Sequence, residues 1–246
     1  MKQSRQLIIV VLVLAASSLA IFFIQEWLFR RPDETAFYLL QDMAFLPIQV
    51  LLVTLVLNET IARRAKTERL RKMNMVIGAF FSEMGVTLLK EFAVYDRRAA
   101  ELRAHLLIQA AWTNADYVRV TQDVQQHPFD LRCESGDLAA LKTLLLEQRA
   151  MPLRLLENPN LLEHETFTDL LWAVNHLTDE LWYRHDVLTL TPPDAAHIAG
   201  DMRRAYTLLL YEWLAYLKHL RDEYPYIYSL VLRTNPFDPA AMVEVA

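Results

Sequence analysis

Residues 36–58 read AFYLLQDMAFLPIQVLLVTLVLN, a run broken chiefly by Gln41, Asp42, Pro47 and Gln49. A helix rises about 1.5 Å per residue, so about 20 residues cross the hydrocarbon layer of a bilayer. Upstream, residues 7–29 read LIIVVLVLAASSLAIFFIQEWLF, with polar atoms at Ser17, Ser18, Gln25 and Glu26. Trp27 falls where an amphipathic indole favours a membrane interface. A cleaved secretion signal is the rival reading of 7–29, because Lys2 and Arg5 precede the apolar run and 15–20 is rich in small residues. The apolar run continues through 21–24, longer than a signal core. Pro32 breaks the first helix and Asp33 is positioned to cap the next. Residues 1–58 are therefore expected to form a transmembrane hairpin with spans at 7–29 and 36–58.

Basic residues set the expected orientation. Lys2 and Arg5 precede the first span, and Arg63, Arg64, Lys66, Arg69, Arg71 and Lys72 follow the second. The hairpin has Arg30 and Arg31 beside Asp33 and Glu34. The positive-inside rule puts both termini in the cytoplasm of a multi-pass protein of the cell membrane. Residues 59–72 read as a basic helical stalk, a topology signal that also suits anionic lipid headgroups or the inner mouth of a pore.

An ionisable side chain inside a span must face protein or water. Tyr38, Asp42, Gln49, Val53 and Thr60 fall on nearly one face of the second span. That stripe would line an ion path if several copies assembled around an axis. The competing reading pairs Asp42 with Arg30 or Arg31 and uses Gln49 as a helix–helix hydrogen bond.

Residues 73–246 suffice for one compact domain. Glycine occurs four times, too sparsely for a sheet or a phosphate-binding loop, so the domain is expected to be a cytoplasmic helical bundle. Gly78 and Gly85, seven apart, permit close helix contact. Helices are expected at 73–92, 98–112, 115–126 and 137–149, with Asn114 and Ser135 as caps. A longer pair follows at 165–184 and 195–221, joined by Thr191, Pro192, Pro193 and Asp194 as an antiparallel hairpin. Phe167, Leu170, Leu171, Val174, Leu177 and Leu181 face one way on the first of the pair. Ile198, Met202, Tyr206, Leu209, Trp213, Tyr216 and Leu220 align on the second. The tail, with Tyr224, Tyr226, Tyr228 and Phe237, is expected to pack back on the bundle.

His176 and Glu180 are four apart, as are His197 and Asp201, so each pair projects from one helical face. The hairpin register would bring two imidazoles and two carboxylates together, a set suited to zinc, manganese or iron. Against this, His176 and Glu180 sit opposite the apolar face of their helix and read first as solvated. Glu212 and His219 form a weaker pair. No other cofactor is expected. The sequence has no Gly-x-Ser-x-Gly elbow, phosphate-binding glycine loop or His-Glu-x-x-His, and no enzyme activity is expected from it. Arg132 beside Cys133, the single cysteine, would lower the thiol pKa, although a lone cysteine otherwise reads as inert. The net charge of −5 gives no reason to expect nucleic acid as a partner.

Three stretches, FYLLQDMAFLP at 37–47, LENPNLLEHE at 156–165 and RTNPFDP at 233–239, resemble an uncharacterised group of prokaryotic two-span membrane proteins with a helical cytoplasmic domain. The resemblance implies a bacterial or archaeal plasma membrane and brings no activity. Three readings stand: a homo-oligomeric ion channel gated by the helical domain, a membrane-anchored scaffold that recruits a partner, and a metal-dependent membrane enzyme.

Overall fold

The computed structural model describes residues 2–29, 31–158, 161 and 164–244, without the side chains of residues 2–11, 26, 29, 32, 65–67 and 69–71. The chain is all-α, and the described residues form no sheet strand. One isolated bridge joins Asp96 to Leu131. The chain divides into two compact units, Met1–Lys66 and Thr67–Ala246.

The first unit holds α1 (Lys2–Phe29) and most of α2 (Pro32–Phe80). Pro32 is the first residue of α2, where a missing N–H costs nothing. Asp33 is thus inside the first turn, favoured by the helix dipole, and does not cap. Pro47 sits within α2 without ending it. Among the described residues of this unit none is buried. Asp33–Arg64 is the one described helix long and apolar enough to cross a membrane, and Leu12–Gln25 is a shorter apolar helix. Lys2, Arg5, Arg30, Lys66, Arg69 and Arg71, which entered the orientation and collar readings, lie outside the described side chains.

The second unit is built around α9 (Pro192–Glu223), which packs against α3 (Val86–Tyr95), α5 (Asn114–Gln126), α8 (Glu165–Tyr183) and α10 (Pro225–Arg233). Shorter helices α4 (Ala99–His105), α6 (Leu138–Glu147) and α7 (Ala150–Leu156) complete it. The apolar stripes of the long pair are buried: Phe167, Leu170, Val174, Leu177 and Leu181 share one core with Ile198, Met202, Tyr206, Leu209 and Trp213. Each such side chain contributes about 1.5–3 kcal/mol by leaving water.

Several local expectations are corrected. The helix expected through 73–92 contains a π-helical turn, Phe81–Gly85. There Phe81 stacks on Tyr216 at 5.3 Å, and a Cβ on Gly85 would stand 2.6 Å from the Phe81 ring. Gly78 permits the close approach of Tyr216, whose hydroxyl would be 3.0 Å from an added Cβ. Thr113, not Asn114, caps α5, in a reciprocal box with Asp116. Asp137, not Ser135, caps α6, because a 3-10 turn occupies Cys133–Ser135. In the tail, Tyr228 and Phe237 are buried, with the Tyr228 hydroxyl 2.9 Å from that of Tyr117, while Tyr226 is exposed.

Candidate metal centre

Helix α8 ends at Tyr183 and α9 starts at Pro192, so eight residues reverse the chain. The contacts run in opposite senses: Glu180 meets His197, and His176 meets Asp201, as an antiparallel seam requires. At about 100° per residue, Glu180 and Asp201 flank the buried faces of α8 and α9, and His176 and His197 lie one step further toward solvent, about half exposed. His176 is exposed, as one helix alone implied, yet its side chain and that of Glu180 both reach across to α9.

Together the four side chains offer ligand atoms within 4.8 Å of one another. His176 Nε2 lies 3.5 Å from Asp201 Oδ2 and 3.8 Å from Glu180 Oε1. His197 Nε2 lies 3.4 Å from Asp201 Oδ2 and 3.6 Å from Glu180 Oε2. Ligands bound tetrahedrally at 2.0–2.1 Å stand about 3.4 Å apart, so small shifts would seat an ion. Asp201 Oδ2 is buried and accepts no hydrogen bond, although its side chain is 5 % exposed. A buried carboxylate oxygen without a donor is costly, and a cation would satisfy it.

Arginines hold one oxygen of each carboxylate, Glu180 Oε2 and Asp201 Oδ1. Arg184 donates from Nη1 to Glu180 Oε2 at 2.6 Å and grips Asp194 through Nε and Nη2, at 3.1 and 2.6 Å. The Arg184 hydrogen bond holds the Glu180 carboxyl below the usual glutamate range, so it stays an anion. Arg204 Nη1 reaches Asp201 Oδ1 at 3.3 Å. Such outer partners orient ligands and tune their basicity. Sequence reasoning missed both arginines, although each lies three or four residues beyond its acid, a spacing that pairs side chains on a helix. The imidazoles are about half exposed, which leaves one side of the cluster open to solvent.

The other candidate residues fall elsewhere. Glu212 is buried against Thr166, 2.5 Å away, and burial pushes its carboxyl up. His164 caps α8 by accepting from the Phe167 N–H, and Glu163 is outside the described residues. Cys133 is corrected in the opposite direction from the sequence reading. Burial pushes its thiol up to about 11, and Arg132 instead pairs with Asp130 at 2.7 Å. Tyr38, Asp42, Gln49, Val53 and Thr60 are all exposed on α2, and the Thr60 hydroxyl donates to the Val56 carbonyl. Arg63 pairs with Glu59 and Lys72 with Glu68, and Arg64 is exposed.

This architecture defines an all-helical protein with two helical regions. Residues 2–61 match the family model described as "MJ1433, N-terminal helical domain", and residues 69–233 match "Uncharacterized protein MJ1433, C-terminal helical domain". The chain belongs to this MJ1433 family. It is 40 % identical to "Uncharacterized protein MJ1433" of Methanocaldococcus jannaschii over 243 residues, 99 % of this chain and 98 % of that protein. No solved structure matches it.

Proposed function

We propose that this is a bilayer-anchored metal-binding protein. Its N-terminal apolar helices sit in a membrane, and the α8–α9 seam holds a divalent transition-metal ion through His176, Glu180, His197 and Asp201. The observation that carries the metal reading is the buried, undonated Asp201 oxygen facing two imidazoles from two helices. Two imidazoles and two carboxylates suit zinc, iron or manganese.

The anchor rests on Asp33–Arg64, a long apolar helix whose most apolar stretch has no buried residue. Such a surface is untenable in water and ordinary in acyl chains. The basic residues beyond it favour a cytoplasmic helical domain. Metal analysis of full-length protein in detergent tests the proposal. About one ion per chain is expected after equilibration with micromolar zinc and removal of excess, falling to background in a His176→Ala, His197→Ala double variant. Unbound wild-type protein would overturn it.

Asp42 favours a second reading. A carboxylate exposed on an apolar helix requires a polar neighbour, and Arg31 is engaged by Glu34 at 2.5 Å. Neighbouring copies would supply one if Tyr38, Asp42, Gln49, Val53 and Thr60 faced a shared axis and lined an ion path. Bilayer recordings of wild-type protein, Asp42→Asn and Asp42→Ala test this: currents indifferent to both changes, or no currents, reject conduction.

A further inference from the structure

At about 100° per residue, Gly200 and Arg203 lie on the flank of α9 away from His197 and Asp201. There a hollow of about 680 Å³ separates α9 from the segment 125–129. Its wall holds His127, Phe129, Arg203 and Arg204, and no acidic side chain among the described residues. In a chain of net charge −5 this is a local excess of positive charge. Asp201 offsets Arg204 from 3.3 Å, whereas Arg203 is exposed and enters no ion pair among the described residues. Charge at this wall therefore favours an anion.

His127 is built into the wall. Its side chain is 6 % exposed, and its Nε2 stands 3.1 Å from Oδ2 of Asp96, whose side chain is fully buried. Asp96 Oδ1 accepts the Arg98 and Asp130 N–H groups at 3.0 and 3.1 Å. A carboxylate only accepts, so Nε2 donates, and Nδ1 is an acceptor in the neutral ring. Nδ1 makes no hydrogen bond among the described residues and is not sealed from solvent. A histidine serving only to tie the 127–131 coil to Asp96 would not need to line a hollow with a free ring nitrogen. The Phe129 ring stands edge-on to His127 at 4.6 Å and to buried Tyr206 at 5.6 Å, which fixes an apolar surface beside that nitrogen. Across the hollow, Gly200 keeps the α9 side open, since nothing lies within 4 Å of where a Cβ would stand.

We infer that this hollow binds a small organic acid that carries a carboxylate and a hydroxyl on an apolar body. The single guanidinium fork of Arg203 matches one carboxylate. The ligand hydroxyl donates to His127 Nδ1, and the apolar body lies against Phe129. The inference is independent of the metal reading. Calorimetric titration of full-length protein in detergent and chelator with 4-hydroxybenzoate tests it. Saturable binding is expected, with a dissociation constant below about 1 mM that rises at least about tenfold in Arg203→Ala. Arg203 is exposed, so that variant should melt as wild type does. Benzoate lacks the hydroxyl and should bind wild-type protein about fivefold more weakly, the worth of one hydrogen bond. His127→Phe should abolish that preference; if the unpaired Asp96 prevents this variant from folding, the benzoate comparison on wild-type protein still tests the hydroxyl contact. Wild-type protein that ignores 4-hydroxybenzoate, that binds benzoate equally well, or that loses no affinity in Arg203→Ala overturns the inference, and none of these results bears on zinc uptake.

Discussion

His176 Nε2 on α8 lies 3.5 Å from the buried Oδ2 of Asp201 on α9, and that oxygen accepts no hydrogen bond. An ion seated there would tie the two helices together. Zinc at a hundredfold excess over its dissociation constant stabilises a folded protein by about 2.7 kcal/mol. For a unit of this size that raises the thermal midpoint by about 5–10 °C. Circular dichroism melts should show that rise in wild-type protein and lose it in Asp201→Asn. A rise of equal size in Asp201→Asn would remove Asp201 from the ligand set.

Arg184 spans Glu180 and Asp194, so it acts on the metal through Glu180 and not by contact. Arg184→Gln should weaken zinc affinity about 10- to 100-fold while leaving the stoichiometry unchanged. Competition with a chelating dye measures this. An unchanged affinity would make the arginine a helix staple alone.

The Cys133 thiol donates to the Ala195 carbonyl at 3.2 Å, and burial raises its pKa to about 11. A free cysteine near 8.5 is partly thiolate at pH 8, whereas this one is about 0.1 % thiolate. Alkylation by iodoacetamide in the folded protein at pH 8 should be about two hundredfold slower than for a free thiol, in the ratio of the thiolate fractions. The rate should keep climbing as pH rises toward 11. A plateau near pH 8.5 would contradict the buried setting.

Gly85 and Gly136 leave no room for a methyl group. A Cβ would stand 2.6 Å from the Phe81 ring in the first case and 2.7 Å from the Tyr95 ring in the second. Each glycine-to-alanine change should destabilise by about 1–3 kcal/mol, the usual cost of overpacking a core. Denaturant unfolding measures it, and a neutral result would show that the rings move aside.

Much of this fold is legible in the amino acids because the long elements carry strong periodicity. The stripe from Phe167 to Leu181 is buried as its spacing implies, and so is the stripe from Ile198 to Leu220. Local punctuation is harder to read. Ser135 has the chemistry of a cap, yet the 3-10 turn that ends at it moves the helix start beyond Asp137. At the π turn Phe80 packs on Phe167 and Phe81 on Tyr216, contacts distant in sequence that local propensity does not contain. The metal cluster is half legible. The four-residue spacings put each histidine and its acid on one face, but their meeting depends on how far each helix is rotated about its own axis. A helix considered alone has an apolar face and a back; a packed pair also has two flanks. Glu180 occupies a flank, and the longer reach of the exposed His176 carries its imidazole to Asp201.

X-ray absorption at the zinc edge, on full-length protein loaded with one equivalent of zinc, bears most directly on the metal claim. Two imidazoles and carboxylate oxygens at about 2.0–2.1 Å are expected, with the imidazole scattering lost in the His176→Ala, His197→Ala variant. A spectrum without imidazole, or one identical in wild type and variant, would contradict it.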